Sequence, residues 1–156
     1  MTNLKQLLTR PLRPVPTNAV VFLFIVALIG FADATYLAVK HYQGVIPPCS
    51  IIAGCELVLT SPYALILGIP VSLLGSIYYF LVLVGVFAYL EGKHEKLLRF
   101  ALLFTIVGFV VSLWFVYVQI FIIHSYCAYC LVSAITSVIL FVTAMELLSK
   151  FQVNNQ

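Results

Sequence analysis

The sequence predicts an all-α integral membrane fold, a four-transmembrane-helix bundle covered on its extracytoplasmic side by a lid of loop and half-helix. Three observations lead there. Of the 156 residues, 63% are hydrophobic and only 8% are charged, against about 45–50% and about 25% in an ordinary soluble domain. Four apolar runs are each long enough to cross a bilayer. The basic residues, finally, gather at one set of run ends. The same composition excludes a disordered chain, which needs the opposite balance. It also excludes a disulfide-stapled secreted domain, for which four cysteines are too few. A net charge of +3 does not point to nucleic acid, and its distribution matters more than its size.

The first apolar run is 19–39, interrupted by Asp33, and the second is 69–90. The third is 100–123 and the fourth 127–148. Each has 21 to 24 residues, enough to cross about 30 Å of hydrocarbon at about 1.5 Å per residue. Helices are the expected form because they satisfy every backbone group internally. No repeat or low-complexity tract divides the chain, so residues 1–156 read as one membrane domain.

Lys5, Arg10 and Arg13 precede the first run, Lys93, Lys96 and Arg99 separate the second from the third, and Lys150 follows the fourth. Seven of the eight basic residues thus share one side, and only Lys40 lies on the other. The positive-inside rule places both termini and the 91–99 loop in the cytoplasm of a cell (inner) membrane. A secretory signal peptide competes with this reading, because Ala32-Asp33-Ala34 resembles an A-x-A cleavage site. The apolar run continues through Tyr36-Leu37-Ala38-Val39, which favours a full span.

Between the first two spans lies the lid. Pro47-Pro48 stiffens the approach to Cys49, and Gly54 loosens the chain before Cys55. Leu57, Val58, Leu59, Leu65, Ile66 and Leu67 make this segment too apolar for a solvated loop. A short helix over 56–61, stopped at Pro62, is expected to lie on the bundle. Gly68-Ile69-Pro70 then opens the second span, with Pro70 suited to a first helical turn.

The cysteines come in two pairs, Cys49-x₅-Cys55 in the lid and Cys127-x₂-Cys130 at the start of span four. Both face the side where disulfides persist and exchange. Two structural disulfides are one reading, in a membrane scaffold without enzymatic activity. A four-cysteine zinc site is another, but C-x₅-C fits zinc spacing poorly and an oxidising compartment opposes four thiolates. Redox exchange is the third, and it explains why C-x-x-C stands at a helix start. Free N–H groups and the macrodipole stabilise a thiolate there, and the thiolate is the species that exchanges.

This assembly, with Ser61 six residues after Cys55, then Gly68-Ile69-Pro70, Ser72 and Gly75, and Cys127-Ala128-Tyr129-Cys130 last, resembles the vitamin K epoxide reductase family. DsbB-type thiol oxidases have a similar bundle, but their C-x-x-C lies in the first external loop. The resemblance implies that Cys127 and Cys130 are the active-site pair beside a quinone, with Cys130 deeper and against the ring. It implies that Cys49 and Cys55 are the shuttle pair, Cys55 exchanging with Cys127 and Cys49 with a partner thiol. Ser61 matches a family hydroxyl that can donate to a quinone carbonyl. Ala134 and Val71 stand where the vertebrate enzymes carry tyrosine and asparagine. These departures favour a bacterial oxidoreductase using a quinone of the ubiquinone or menaquinone class. Some bacterial relatives carry a fused thioredoxin-like domain. Here the chain ends six residues past Lys150, so the expected partner is a separate periplasmic, DsbA-like thioredoxin-fold protein.

Asp33 is an intramembrane carboxylate toward the outer face, a functional position by default. Two readings stand for it, hydrogen bonding and proton relay beside the quinone, or simple contact with the interface. His124, three residues before Cys127, reads either as a stabiliser of its thiolate or as an interfacial residue. Trp114, Tyr117, Tyr78 and Tyr79 read as belt and packing residues, with one or two lining any quinone pocket.

Overall fold

The computed structural model describes residues 15–48 and 54–153. Four long helices dominate it: α1 (Thr17–Tyr42), α3 (Val71–Gly92), α4 (Glu95–Tyr117) and α5 (Ala128–Val153). All four are long and apolar enough to cross a membrane. Helix α4 continues as a π-helical segment, Val118–Ile123, so that the third span runs from Glu95 to Ile123. Between α1 and α3 lie the short helix α2 (Cys55–Leu59), a 3₁₀ turn (Pro62–Ala64) and a hairpin of β1 (Leu65–Ile66) with β2 (Ile69–Pro70).

α1 packs on α3 and α5, and α4 closes the ring against the same two helices. The short connection at Lys93 and His94 holds α3 and α4 antiparallel. One end of the bundle therefore carries that basic connection, and the opposite end carries α2, the hairpin and Cys127. Toward the basic end the interior is a close-packed apolar core of Val20, Leu23, Val82, Val86, Leu98, Leu102 and Leu140, each under 2% exposed. Toward the cysteine end the helices are tied by hydroxyls. Thr35 Oγ1 and Ser76 Oγ lie 2.8 Å apart. The Tyr79 hydroxyl donates to the Ser133 carbonyl at 2.7 Å and lies 2.8 Å from Thr136 Oγ1. The outward faces carry exposed Ile25, Phe80, Phe87, Val110, Trp114 and Ile135. An apolar surface of this kind belongs in hydrocarbon.

Three local features differ from expectation. Helix α2 begins at Cys55 and ends at Leu59, before the expected 61. There Thr60 Oγ1 donates to the Glu56 carbonyl (2.7 Å) and Ser61 Oγ to the Val58 carbonyl (2.8 Å), which stops the helix from within. The hairpin is new. Its strands pair Leu65 with Pro70 and Ile66 with Ile69, and its two turn residues, Leu67 and Gly68, have φ of 54° and 81°. Two positive φ angles match the twist of a two-residue hairpin. Third, α4 starts at Glu95 and not near Phe100, because a helix needs no apolar side chains once it leaves the hydrocarbon.

Candidate redox site

Cys127 is the residue immediately before α5 and is fully buried. Its sulfur accepts the Cys130 backbone N–H at 3.4 Å, the bond that a serine or aspartate side chain makes at a helix N-cap. Its own backbone N–H donates to Gln119 Oε1 at 3.0 Å. Hydrogen bonding from the Cys130 thiol is the largest influence on the Cys127 thiol and carries its pKa below the ordinary value. The backbone N–H groups of Cys130 and Tyr129 act the same way, while burial and the Asp33 carboxylate oppose them. Both Cys127 and Cys130 are free thiols.

Cys55 opens α2, is 1% exposed and is disulfide-bonded. It shares one buried cluster with Val58 and Cys127, against which Leu59, Ile123, Tyr129 and Cys130 pack. Gly54 makes this approach possible. Its φ is +145°, and a Cβ there would stand 3.1 Å from the Tyr126 carbonyl oxygen and 3.2 Å from the Ser125 Cβ. A side chain at 54 would push α2 off the turn that leads to Cys127. Cys49 lies outside the described residues. The Tyr129 hydroxyl donates to the Pro48 carbonyl at 3.3 Å, so the tyrosine of the C-x-x-C tethers the chain that leads to Cys49.

A cavity of about 680 Å³ opens under α2 and the hairpin and runs down between the spans. Asp33, Ser61 and Cys130 all line it; Cys55 and Cys127 do not. The two cysteines of the C-x-x-C thus have different neighbours, Cys127 beside Cys55 and Cys130 on the cavity wall. Ser61 offers the cavity an oxygen whose hydrogen is already donated to Val58. Val71 and Ala134 also line the cavity, so both departures from the vertebrate pattern fall on its wall. His124 is an exposed residue of the turn after the π segment, with φ of 54°. Among the described residues no group of three His, Cys, Asp or Glu side chains could hold a metal.

Sequence reasoning missed Gln119 and Ser137, and named Tyr78 only among four aromatics of which one or two would line a pocket. Gln119, Tyr78 and Ser137 face this cavity. Gln119 is a lone amide inside an apolar run and only 2% exposed, a signal that deserved the weight given to Asp33. Nothing in the pattern distinguished Tyr78 from Tyr79, or Ser137 from Ser133.

No curated protein matches the chain. The model of the family described as "Vitamin K epoxide reductase family" matches residues 21–145. That stretch holds the lid, both cysteine pairs and most of every span. A match of this extent settles the family and with it the general chemistry, that of a membrane thiol oxidoreductase: the chain belongs to the vitamin K epoxide reductase family.

Proposed function

We propose that the protein, working as one membrane domain, is a quinone-linked thiol oxidase that supports disulfide bond formation. The observation that carries this reading is the division of the C-x-x-C, with Cys127 packed beside Cys55 and Cys130 on the cavity wall. A separate thioredoxin-fold protein on the extracytoplasmic side supplies two thiols. Its thiolate attacks Cys49, its second thiol closes the partner's disulfide, and Cys49 and Cys55 are left reduced. The Cys55 thiolate then attacks Cys127 of a Cys127–Cys130 disulfide and releases Cys130. Cys49 attacks Cys55 in turn, which re-forms the lid disulfide and leaves Cys127 and Cys130 as thiols. Both chain termini lie in the cytoplasm of the cell membrane in this arrangement.

The cavity fits an acceptor of this kind. Its volume lies within the usual range for ligand pockets, and its walls are mainly apolar with a few convergent polar groups. Asp33 Oδ2, Tyr78 Oη and Ser137 Oγ are buried without hydrogen-bond partners among the described residues. A bound quinone supplies a sink for the two electrons and two protons given up when Cys127 and Cys130 close their disulfide. Cys130 lines that space, and α2 and the hairpin cover it.

Thiol trapping tests the proposal. In purified, reduced protein, adding a membrane quinone should convert Cys127 and Cys130 from alkylatable to blocked, and adding a dithiol should reverse this. Cysteines that stay blocked or stay free under both treatments would identify a scaffold with structural disulfides.

A further inference from the structure

We infer that the cavity carries a hydrogen-bonding seat for the ring oxygen of the electron acceptor, built by Tyr78, Ser137 and Asp33 from three different spans. The inference rests on the quinone reading above and adds to it which residues hold the ring. It begins from an accounting problem. In a bundle surrounded by hydrocarbon, a buried polar atom has no water to turn to, so each is expected to find a partner within the protein. Neighbouring hydroxyls do so, as Tyr79 with Ser133 and Thr136 and Thr35 with Ser76 show. The exceptions among the described residues are Asp33 Oδ2 and the Tyr78 and Ser137 hydroxyls, which are near neighbours of each other but form no hydrogen bond of good geometry. All three residues line the one cavity.

Their depths agree. Tyr78 lies seven residues into α3 from Val71, and Ser137 lies seven residues beyond Cys130 on α5, each about 10 Å along its helix. Asp33 stands nine residues back from the cysteine-side end of α1, about 13 Å by the same rise. The three residues thus face one cavity from α1, α3 and α5. Ser137 is 1% exposed, so its hydroxyl is committed to the interior.

The placement of Tyr78 is built. Its ring stands edge-on to Tyr79, with centroids 4.9 Å apart, and against Phe104 at 5.4 Å. Its hydroxyl end fits over Gly108 of α4, where any Cβ would collide with it. The groups divide by chemistry. A ring carbonyl only accepts, and the Tyr78 and Ser137 hydroxyls can donate to it. A ring hydroxyl, present in the reduced acceptor, donates, and the Asp33 carboxylate can accept from it. The seat can thus hold either form of the ring without moving the backbone.

The test measures binding to purified protein of a decyl-tailed 1,4-benzoquinone and of its hydroquinone, with the infrared carbonyl band of the bound benzoquinone as a second readout. Tyr78→Phe and Ser137→Ala should each weaken benzoquinone binding by about five- to tenfold, the loss expected for one hydrogen bond. Each should also move the carbonyl band toward that of the free ring. Asp33→Leu should weaken the hydroquinone more than the benzoquinone. Gly108→Ala leaves the Tyr78 hydroxyl in place chemically but displaces it, and should reproduce Tyr78→Phe even if that variant folds poorly. Wild-type binding with unchanged affinity and carbonyl band in all four variants would overturn the seat and leave the quinone reading standing. Failure of the wild type to bind either probe would remove that reading, and the seat with it.

Discussion

The backbone N–H of Cys127 donates to the side-chain oxygen of Gln119 at 3.0 Å, across the turn between the third and fourth spans. In a capping box this N–H is satisfied by a glutamate or glutamine at the third helical position. Here that position is Cys130, which lines the cavity, and the preceding span supplies the acceptor instead. Gln119 lies in the π-helical segment, and its amide nitrogen donates back to the Phe115 carbonyl at 3.4 Å. π-Bulges insert one residue into a helix and commonly occur at functional sites. Cys127 is thereby held from both sides, by Gln119 through its N–H and by Cys130 through its sulfur.

Gln119→Leu should therefore strand a buried N–H, at a cost of about 1–3 kcal/mol in stability. It should also loosen the Cys127 turn. Thermal unfolding in detergent checks the first effect, and the rate of disulfide exchange between Cys55 and Cys127 checks the second. A variant equal to wild type in both would mean that the amide only fills space.

Gly54→Ala should slow the same exchange by another route. The new Cβ meets backbone at 3.1 Å, and alanine resists a φ of +145°. The strain, about 1–3 kcal/mol, falls on the contact between α2 and the 125–126 turn. Exchange slowed several-fold, with quinone binding retained, is the expected result.

The Cys127 thiol should titrate higher when Cys130 is removed. The Cys130 thiol is the chief group that holds the Cys127 pKa down, so its loss leaves burial less opposed. In Cys130→Ala the thiolate signal of Cys127, followed by ultraviolet absorbance, should appear at higher pH than in wild type. At neutral pH a smaller fraction of Cys127 is then ionised, and its attack on disulfides slows. An unchanged or lower titration would assign the depression to the helix terminus alone.

Much of this architecture was legible because hydrocarbon tolerates so few solutions. Runs of more than twenty apolar residues can only be helices there, so the four spans followed from composition and length. Their ends were less legible: α4 extends back to Glu95 through charged residues that carry no apolar signal. The site was half readable. Ser61 was named from the family resemblance, whereas cysteine spacing and Asp33 could be named from the chain, the latter because a carboxylate is costly in a span. The hairpin was not, since two-residue strands show no alternation and Leu67 is an unusual choice for a positive φ. Nor were Gln119 and Ser137, and Tyr78 could not be singled out from its neighbouring aromatics. Their roles depend on helix rotation and on a one-residue π insertion, which a list of apolar positions does not record.

Orientation gives a prediction independent of the chemistry. A cysteine placed at Lys93, in the connection between α3 and α4, should react with an impermeant maleimide only from the cytoplasmic side. One placed at Gly44, just beyond α1, should react only from outside. Reversed labelling would put both cysteine pairs in the wrong compartment for a disulfide-forming enzyme.

The central claim is that Cys127 exchanges with Cys55 while Cys130 serves the cavity, and mapping a trapped disulfide tests it most directly. In Cys130→Ser, the Cys127 thiolate attacks the lid disulfide at Cys55 and releases Cys49, no Cys130 is present to displace Cys55 from Cys127, and alkylating the freed Cys49 prevents reversal. Peptide mapping by mass spectrometry should find Cys55 joined to Cys127 in that variant, and no Cys55–Cys130 bond in Cys127→Ser. A Cys55–Cys130 disulfide in Cys127→Ser, with none joining Cys55 to Cys127 in Cys130→Ser, would contradict the account and exchange the two roles.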